Sequence, residues 1–235
     1  MSEGSAATAS NKFSDLKVRL ISAFAIAAVA LTCIWLGGWW IAALALVAMA
    51  AMIRELWLMV TRRGEPTPGR KRVLALGIAY ICLAGLAFIW LRAQEPYGFL
   101  SIFWAAVVVT AADVGGYFAG RVFGGAKLWP SISPKKTWSG LGGGIALAFL
   151  VGGLFSWATT GTYFIQVCLV SMIAALVAQG GDLAESALKR HFDVKDASSL
   201  IPGHGGVLDR LDGHMAAVLV AAAVTAWRDQ PVFVW

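Results

Sequence analysis

Long apolar runs separated by short polar segments dominate the sequence. There are seven such runs, of 16 to 22 residues each: Leu20–Leu36, Trp39–Val60, Val73–Leu91, Tyr97–Ala112, Leu141–Thr159, Thr162–Gln179 and Leu211–Trp227. A helix rises about 1.5 Å per residue, and a membrane hydrocarbon core is about 30 Å thick. The pattern therefore predicts an all-α fold, a polytopic membrane helical bundle of about seven transmembrane helices.

The composition supports a membrane protein. Hydrophobic residues make up 59% of the chain and charged residues 14%, whereas soluble domains have about 45–50% and about 25%. These values exclude a water-soluble single domain, and such high hydropathy also excludes general disorder. The N-terminus is polar and rich in Ser and Ala, and we expect residues 1–19 to form a disordered cytoplasmic segment.

The basic residues predict the orientation of the bundle. Of the 19 Lys and Arg residues, 16 fall in four segments, 12–19, 61–72, 121–136 and 189–210, which seven spans would place on one side. Short loops rich in Lys and Arg stay in the cytoplasm. We therefore expect a cytoplasmic N-terminus and a cytoplasm-facing polar cavity. Topology and anionic lipid headgroups account for the net charge of +6 without a nucleic-acid partner.

Acidic residues are concentrated near the C-terminus, since six of the 13 lie between Asp182 and Asp212. This segment is the longest stretch outside the apolar runs, and we expect a long polar loop there. Asp182 and Glu185 are spaced to share one helix face at the end of the sixth span, and Asp209 repeats this spacing with Asp212. Paired carboxylates suit Mg²⁺ or another hard cation. Ordinary salt bridges to Lys189, Arg190 or Arg210 are the alternative interpretation.

Two further segments on the same side could bind anions. Gly203–Gly206 precedes a helix, whose first N–H groups can bind phosphate, and His204 is either a phosphate donor or a cap of the turn. Lys127 and the segment Ser131–Thr137 resemble an oxyanion cradle, although basic loops also serve as topology signals. Asp113, at the end of the fourth span, could pair with a lysine of this cradle or complete a metal site.

The acidic segment resembles a known signature. Residues 186–212 read Ser186-x-Leu-Lys189-Arg190-x4-Lys195-Asp196-x-Ser198-x2-Ile201-Pro202-x-His204-Gly205-Gly206-Val-x-Asp209-Arg210-Leu211-Asp212. They resemble the signature of the phosphatidate cytidylyltransferase (CDP-diacylglycerol synthase) family. Two more stretches are similar to the family: Ser133-Pro134-Lys135-Lys136-Thr137-Trp138-x-Gly140 and Asp113-x3-Tyr117-Phe118-Ala-Gly120-Arg121.

The resemblance implies an enzyme that converts CTP and phosphatidic acid to CDP-diacylglycerol and pyrophosphate for phospholipid biosynthesis. It implies Mg²⁺, with a monovalent cation such as K⁺ as the second ion. Asp182 and Asp209 would be the principal metal ligands, Asp212 a third acidic member, and Lys189 a phosphate contact; these four are the expected catalytic residues. Expected substrate-binding residues are Ser133, Lys135, Lys136, Thr137, Arg190, His204, Gly205, Gly206 and Arg210. Asp113, Glu185 and Asp196 are further candidates for the site.

The resemblance also predicts the organisation and surroundings of the chain. Residues 20–104 would be N-terminal transmembrane helices, and 105–235 a catalytic membrane domain that carries the signature. We expect the helices to lie in a lipid bilayer, that of a bacterial inner membrane, and the protein to form a homodimer. The nearest alternative is a CTP-dependent lipid-alcohol kinase of the dolichol or phytol kinase type. An ion transporter is a weaker alternative, because the intramembrane charges cluster at one interface.

Overall fold

The computed structural model describes residues 21–22, 24–201 and 205–234. In chain order the elements are α1 (Phe24–Leu36), α2 (Gly38–Thr61), α3 (Pro68–Arg92), α4 (Gly98–Val122), β1 (Lys127–Trp129), β2 (Ser133–Thr137), α5 (Trp138–Thr159), α6 (Phe164–His191) and α7 (Leu208–Arg228). The segment expected to be disordered, 1–19, and His204 lie outside the described residues.

The predicted helical membrane bundle is confirmed. Within the described ranges, five helices, α2 to α6, are long and apolar enough to cross a membrane. The apolar helix α1 is shorter, and α7 carries charged residues in its first two turns. The expected number of seven crossings stays a prediction.

The sixth helix is longer than its apolar run. The run ends at Gln179, whereas α6 continues to His191. Asp182 and Glu185 therefore lie on the helix, as their spacing predicts, and the polar loop is shorter than expected: only residues 192–207, here called the α6–α7 loop, separate the two helices. An i,i+4 ion pair between Glu185 and Lys189 supports the added turns, and basic residues in the last turn suit the negative end of the helix.

The basic segment after α4 is a β-hairpin and not a plain loop. β1 and β2 pair antiparallel, and α5 begins directly after β2. The side chain of Thr137 accepts a hydrogen bond of 3.1 Å from the N–H of Gly140 and so caps α5. The register of the pairing shifts between Lys127 and Trp129, opposite the stretch that contains Pro134, and proline in a sheet is confined to edge strands and bulges. The cap fixes the hairpin to the start of α5.

Glycines allow α4 and α5 to pack with their backbones nearly in contact. A Cβ on Gly144 would lie 2.6 Å from the carbonyl oxygen of Ala112, and one on Gly115 would lie 2.6 Å from that of Gly143. Small residues at such a crossing are typical of membrane helices. The close approach holds the C-terminal part of α4, which carries Asp113, beside the hairpin.

The helix α7 belongs to both apolar cores of the bundle. Ala217 and Ala221 pack in a cluster with α4 and α6, in which the indole of Trp104 donates to Ser171 Oγ at 3.1 Å. Leu208 and Met215 pack in a second cluster with α2 and α3. The start of α7 is thereby held against α2, α3 and α6 together.

Replacing Gly144 with Ala should destabilise the bundle, because the new methyl group would meet backbone that cannot move without separating α4 from α5. We expect the free energy of unfolding in detergent to fall by about 1–3 kcal/mol, the usual cost of overpacking. Gly142→Ala is the matched control, since a Cβ there meets nothing within 4 Å. Equal stabilities of the two variants would contradict the close packing.

Candidate active site

Two adjoining cavities open where the C-terminal parts of α4 and α6 meet the N-terminal parts of α5 and α7. The hairpin cavity, of about 500 Å³, is lined by Tyr117, Arg121, Lys135, Lys136 and Thr137 among others. The α7 cavity, of about 360 Å³, is lined by Lys189, Asp209, Arg210, Asp212 and His214 among others. Asp113 and Asp182 line both cavities and therefore form the boundary between them.

Lys136 of the hairpin is bound to α6. Its Nζ lies 2.7 Å from Asp182 Oδ2 and donates to Gln179 Oε1 at 2.9 Å. The amide of Gln179 in turn donates to Asp113 Oδ1 at 3.1 Å. Pairing with a hairpin lysine was one of the two alternatives for Asp113, and Lys136 reaches this carboxylate through Gln179. The sequence interpretation missed Gln179, which looks like the ordinary end of an apolar run.

Lys189 joins α6 to α7. Its Nζ lies 2.5 Å from Glu185 Oε2 and 2.7 Å from Asp209 Oδ1, and the three side chains are 15%, 6% and 8% exposed. Glu185 therefore makes the salt bridge that was the alternative interpretation of this carboxylate. Asp182 turns to Lys136 instead, so the two acidic residues predicted to act as a pair have different partners.

Asp209 also binds the backbone of the α6–α7 loop. Its Oδ2 accepts hydrogen bonds from the N–H groups of Ala197, at 2.9 Å, and Gly206, at 2.8 Å. Asp209 lies just before the apolar run of α7. Burial by itself would raise the pKa of its carboxyl. The hydrogen bonds from Lys189, Gly206 and Ala197 outweigh burial and hold the pKa of Asp209 below its usual range. Asp209 is thus ionised and holds the α6–α7 loop through its hydrogen bonds with Ala197 and Gly206.

The predicted metal ligands carry the oxygen donors that Mg²⁺ prefers, but in the described residues their side chains do not converge on one position. The α7 cavity is lined by four carboxylates, those of Asp113, Asp182, Asp209 and Asp212, and oxygen donors suit Mg²⁺. Yet in the part of the chain that the structure describes, no three Asp, Glu, His or Cys residues form a group that could hold a metal ion. Both oxygens of Asp209 already have partners, as described above, and Asp212 Oδ1 accepts from the N–H of Gly213 at 2.7 Å. The Mg²⁺ and K⁺ sites stay predictions.

The other predicted residues fall into three groups. Lys135, Thr137 and Arg210 line the cavities, as expected for substrate contacts. Arg190 donates to the carbonyl of Ile132 at 3.4 Å and so joins α6 to the hairpin, in which Ser133 begins β2. Gly205 and Gly206 lie in the α6–α7 loop, where Gly205 has a φ of 86° that favours glycine. Asp196 is exposed in the same loop.

Sequence interpretation also missed Glu55 of α2, which of the charged residues that the structure describes is buried most completely. It is 0% exposed, and its carboxylate accepts from Ser198 Oγ at 2.6 Å, from Val207 N–H at 2.9 Å and from Leu208 N–H at 2.8 Å. A carboxylate inside an apolar run is a signal of function in itself. Through Glu55, the helix α2 therefore contacts the α6–α7 loop and the start of α7, which carries the cavity-lining Asp209.

Comparison with known proteins gives consistent matches. The family described as "Cytidylyltransferase family" matches residues 57–227. Among similar proteins, the phosphatidate cytidylyltransferase of Bacillus subtilis (strain 168) is 39% identical over 170 residues, which cover 72% of this chain and 63% of that protein. The proteins of the same name from Brucella suis biovar 1 and Haemophilus influenzae are 45% identical over 143 residues and 35% identical over 188 residues.

The matched regions cover only part of these relatives. In the Brucella suis protein they cover 53% of its length and 61% of this chain, and in the Haemophilus influenzae protein 63% of its length and 77% of this chain. The chain therefore spans about half to three fifths of the length of the curated relatives it matches.

Replacing Lys189 with Met should destabilise the protein strongly. The change leaves the carboxylates of Glu185 and Asp209 buried without their cation, and breaking a buried ion pair from one side costs about 3–5 kcal/mol. We expect a loss of that size in the free energy of unfolding, measured in detergent. Lys195→Met, at an exposed position of the loop, should stay within about 0.5 kcal/mol. If both variants were equally stable, the buried ion cluster would not hold α6 to α7.

Proposed function

The chain belongs to the cytidylyltransferase family, and we propose that it transfers the cytidylyl group of CTP to phosphatidic acid. The products are CDP-diacylglycerol and pyrophosphate. The observation that carries the proposal is the pair of cavities that adjoin at Asp113 and Asp182. Each contains a lysine held by a carboxylate, Lys136 in one and Lys189 in the other. Such a site can hold two phosphate-bearing substrates side by side.

The reaction needs charge neutralisation more than a strong base. A phosphomonoester has a second pKa of about 6, so an oxygen of phosphatidic acid is already anionic near neutral pH. This oxygen attacks the α-phosphorus of CTP, and the bond from that phosphorus to the bridging oxygen of the β-phosphate breaks. The leaving group is pyrophosphate. Lysine and arginine side chains stabilise such a displacement by offsetting the charge that builds on the phosphate oxygens.

The side chains of the two cavities suit these roles. Lys135, Lys136 and Arg121 would bind the triphosphate in the hairpin cavity, and Lys189 and Arg210 would neutralise charge in the α7 cavity. Both substrates then lie against the shared wall.

Carboxylates of that wall would hold the cation. Asp182, Asp212 and Asp113 are the residues that would bind Mg²⁺, and Asp209 would join them if its oxygens were released from Lys189 and the loop. Bound there, Mg²⁺ would neutralise charge on the reacting phosphates. A monovalent cation such as K⁺ is proposed for a second position.

We propose the same surroundings for the chain as the sequence predicts. The segments rich in Lys and Arg would face the cytoplasm, which supplies CTP, and the helices would cross a bacterial inner membrane, which supplies phosphatidic acid. A homodimer is proposed from the resemblance to the family. The alternative of a lipid-alcohol kinase is not favoured, because similar proteins are named phosphatidate cytidylyltransferase.

Tracing the phosphates of CTP tests the proposed function. Purified protein in mixed micelles receives phosphatidic acid, a long-chain lipid alcohol, Mg²⁺ and CTP labelled separately at the α- and γ-phosphates. We expect the α-label in the lipid and the γ-label in pyrophosphate. If a lipid alcohol took up the γ-label and CDP were released, the protein would be a kinase. If neither label moved, the proposed reaction would be refuted.

Replacing Lys136 with Ala should weaken CTP binding, because the hairpin cavity loses the ammonium group nearest its shared wall. A hydrogen bond to a charged group contributes about 1.5–3 kcal/mol, so we expect the KM for CTP to rise at least about tenfold. Lys71→Ala, which removes an exposed lysine from α3, is the control and should leave this KM unchanged. An unaltered KM in Lys136→Ala would return the hairpin to a role in topology alone.

A further inference from the structure

We propose that Glu55 of α2 is a positioning residue for the proposed reaction: its carboxylate fixes the α6–α7 loop and the first turn of α7, and thereby Asp209. The inference rests on the proposed function only because the reaction is taken to be the proposed cytidylyl transfer. The contacts of Glu55 with the loop do not depend on it. Glu55 lies outside the region 57–227 matched by the family, and the signature begins more than a hundred residues later.

The contacts of Glu55 are those of a helix cap supplied by another helix. The first N–H groups of a helix lack partners within it and attract negative charge. Val207, the residue before α7, has an apolar side chain that cannot cap the helix. Glu55 takes this role, because Oε1 accepts from Val207 N–H and Oε2 accepts from Leu208 N–H.

The same carboxylate also joins the middle of the α6–α7 loop to its end. Besides Val207 N–H, Oε1 accepts from the hydroxyl of Ser198, which lies near the middle of the loop. Asp209 makes the equivalent connection one residue earlier on each side, between Ala197 and Gly206. Two carboxylates, one from α2 and one from α7, thus hold neighbouring positions of the same two loop segments.

The position of Glu55 explains why residue 206 is a glycine. A Cβ on Gly206 would lie 2.7 Å from Glu55 Oε1, so any other residue there would displace the carboxylate from its donors. Glycine at this position therefore lets the loop lie directly on the carboxylate. Gly206 also donates its N–H to Asp209, so a residue packed against Glu55 is one of those that orient Asp209.

Among the described residues, the partners of the Glu55 carboxylate are O–H and N–H donors of this loop and of the start of α7. In the described ranges no Lys, Arg or His lies within ion-pair distance of it. A carboxylate in an apolar segment is costly unless it is hydrogen-bonded. The three donors that offset this cost all lie in the loop and the start of α7, so Glu55 and the loop geometry depend on each other.

A second set of contacts holds the same loop against α2 and α3. Arg63, which follows α2, forms an ion pair with Asp193, and Arg62 donates to the carbonyl of Asp193 at 3.4 Å. Phe192 is buried in the core formed with α2 and α3, and the guanidinium of Arg70 lies 5.7 Å from the centre of its ring. These contacts hold the start of the loop and leave its later part to Glu55.

Glu55→Gln tests the proposal in the full-length protein. Glutamine keeps the size but places an N–H group against one of the donors, so the loop must shift. Displacing catalytic groups by about 1 Å can cost about 100-fold in rate, and we expect kcat for CDP-diacylglycerol formation to fall by about that factor. The KM for CTP should change less than threefold, because the hairpin cavity is untouched. Glu65→Gln, the same change at an exposed position, should leave both constants unaltered.

Hydrogen exchange gives a readout that does not depend on activity. In Glu55→Gln we expect the amides of Val207 and Leu208 to exchange at least about tenfold faster than in the wild type, with α4 and α5 unchanged. Faster exchange throughout the protein, or unchanged exchange at these amides, would overturn the proposal. If the wild type made no CDP-diacylglycerol, the proposed function would fail, while the exchange data would still decide whether Glu55 holds the loop.

Ser198→Ala provides a milder second test, should Glu55→Gln fail to fold. It removes one donor to Glu55 from a partly exposed loop residue, and we expect kcat to fall about three- to tenfold with the KM for CTP unchanged. Ser199→Ala, at the next and exposed position, is the matched control. Glu55→Asp, which keeps both acceptor oxygens, should retain more activity than Glu55→Gln. Equal kcat values for Ser198→Ala and Ser199→Ala would overturn the proposal.

Discussion

Buried carboxylates need partners, and this requirement determines how the polar end of the bundle is assembled. An isolated charge removed from water costs several kcal/mol, so each acidic side chain must find a cation or a set of N–H groups. Asp182 is paired with Lys136 of the hairpin, and Asp209 with Lys189 of α6. Glu55 accepts from the loop and from the start of α7. Each pairing joins two different elements of the fold.

The same pairings prepare the site for phosphate. An ammonium group held by a carboxylate is already oriented before an anion arrives, so less side-chain freedom is lost on binding. Lys136 and Lys189 are held in this way on either side of the wall formed by Asp113 and Asp182. The cavities differ in their walls, since the hairpin and α5 line one, and α7 lines the other. This difference suits two substrates that share only their phosphate groups.

Sequence reasoning succeeded where the physics is local. Apolar runs of sufficient length predict membrane helices, and the spacing of Glu185 and Lys189 indicates an ion pair on one helix face. It overestimated the length of the following loop, because the apolar run stops at Gln179 although the helix continues to His191. The hairpin was not predicted either, because its strands are short and β2 contains Pro134.

Contacts between distant residues could not be predicted. Glu55 could have been singled out as a carboxylate in an apolar run, but its partners lie more than 140 residues away. Spacing placed Asp209 and Asp212 together on α7, yet it could not reveal that Asp209 binds Lys189 and the loop. Whether the carboxylates converge on a metal depends on such contacts, and for this reason the metal site remains a proposal.

An experimental structure of the protein with CTP and Mg²⁺ bound would test the central claim most directly. We expect the triphosphate in the hairpin cavity, within hydrogen-bond distance of Lys136, with its α-phosphate at the wall formed by Asp113 and Asp182. A nucleotide bound outside both cavities, with Lys136 still paired to Asp182, would contradict it.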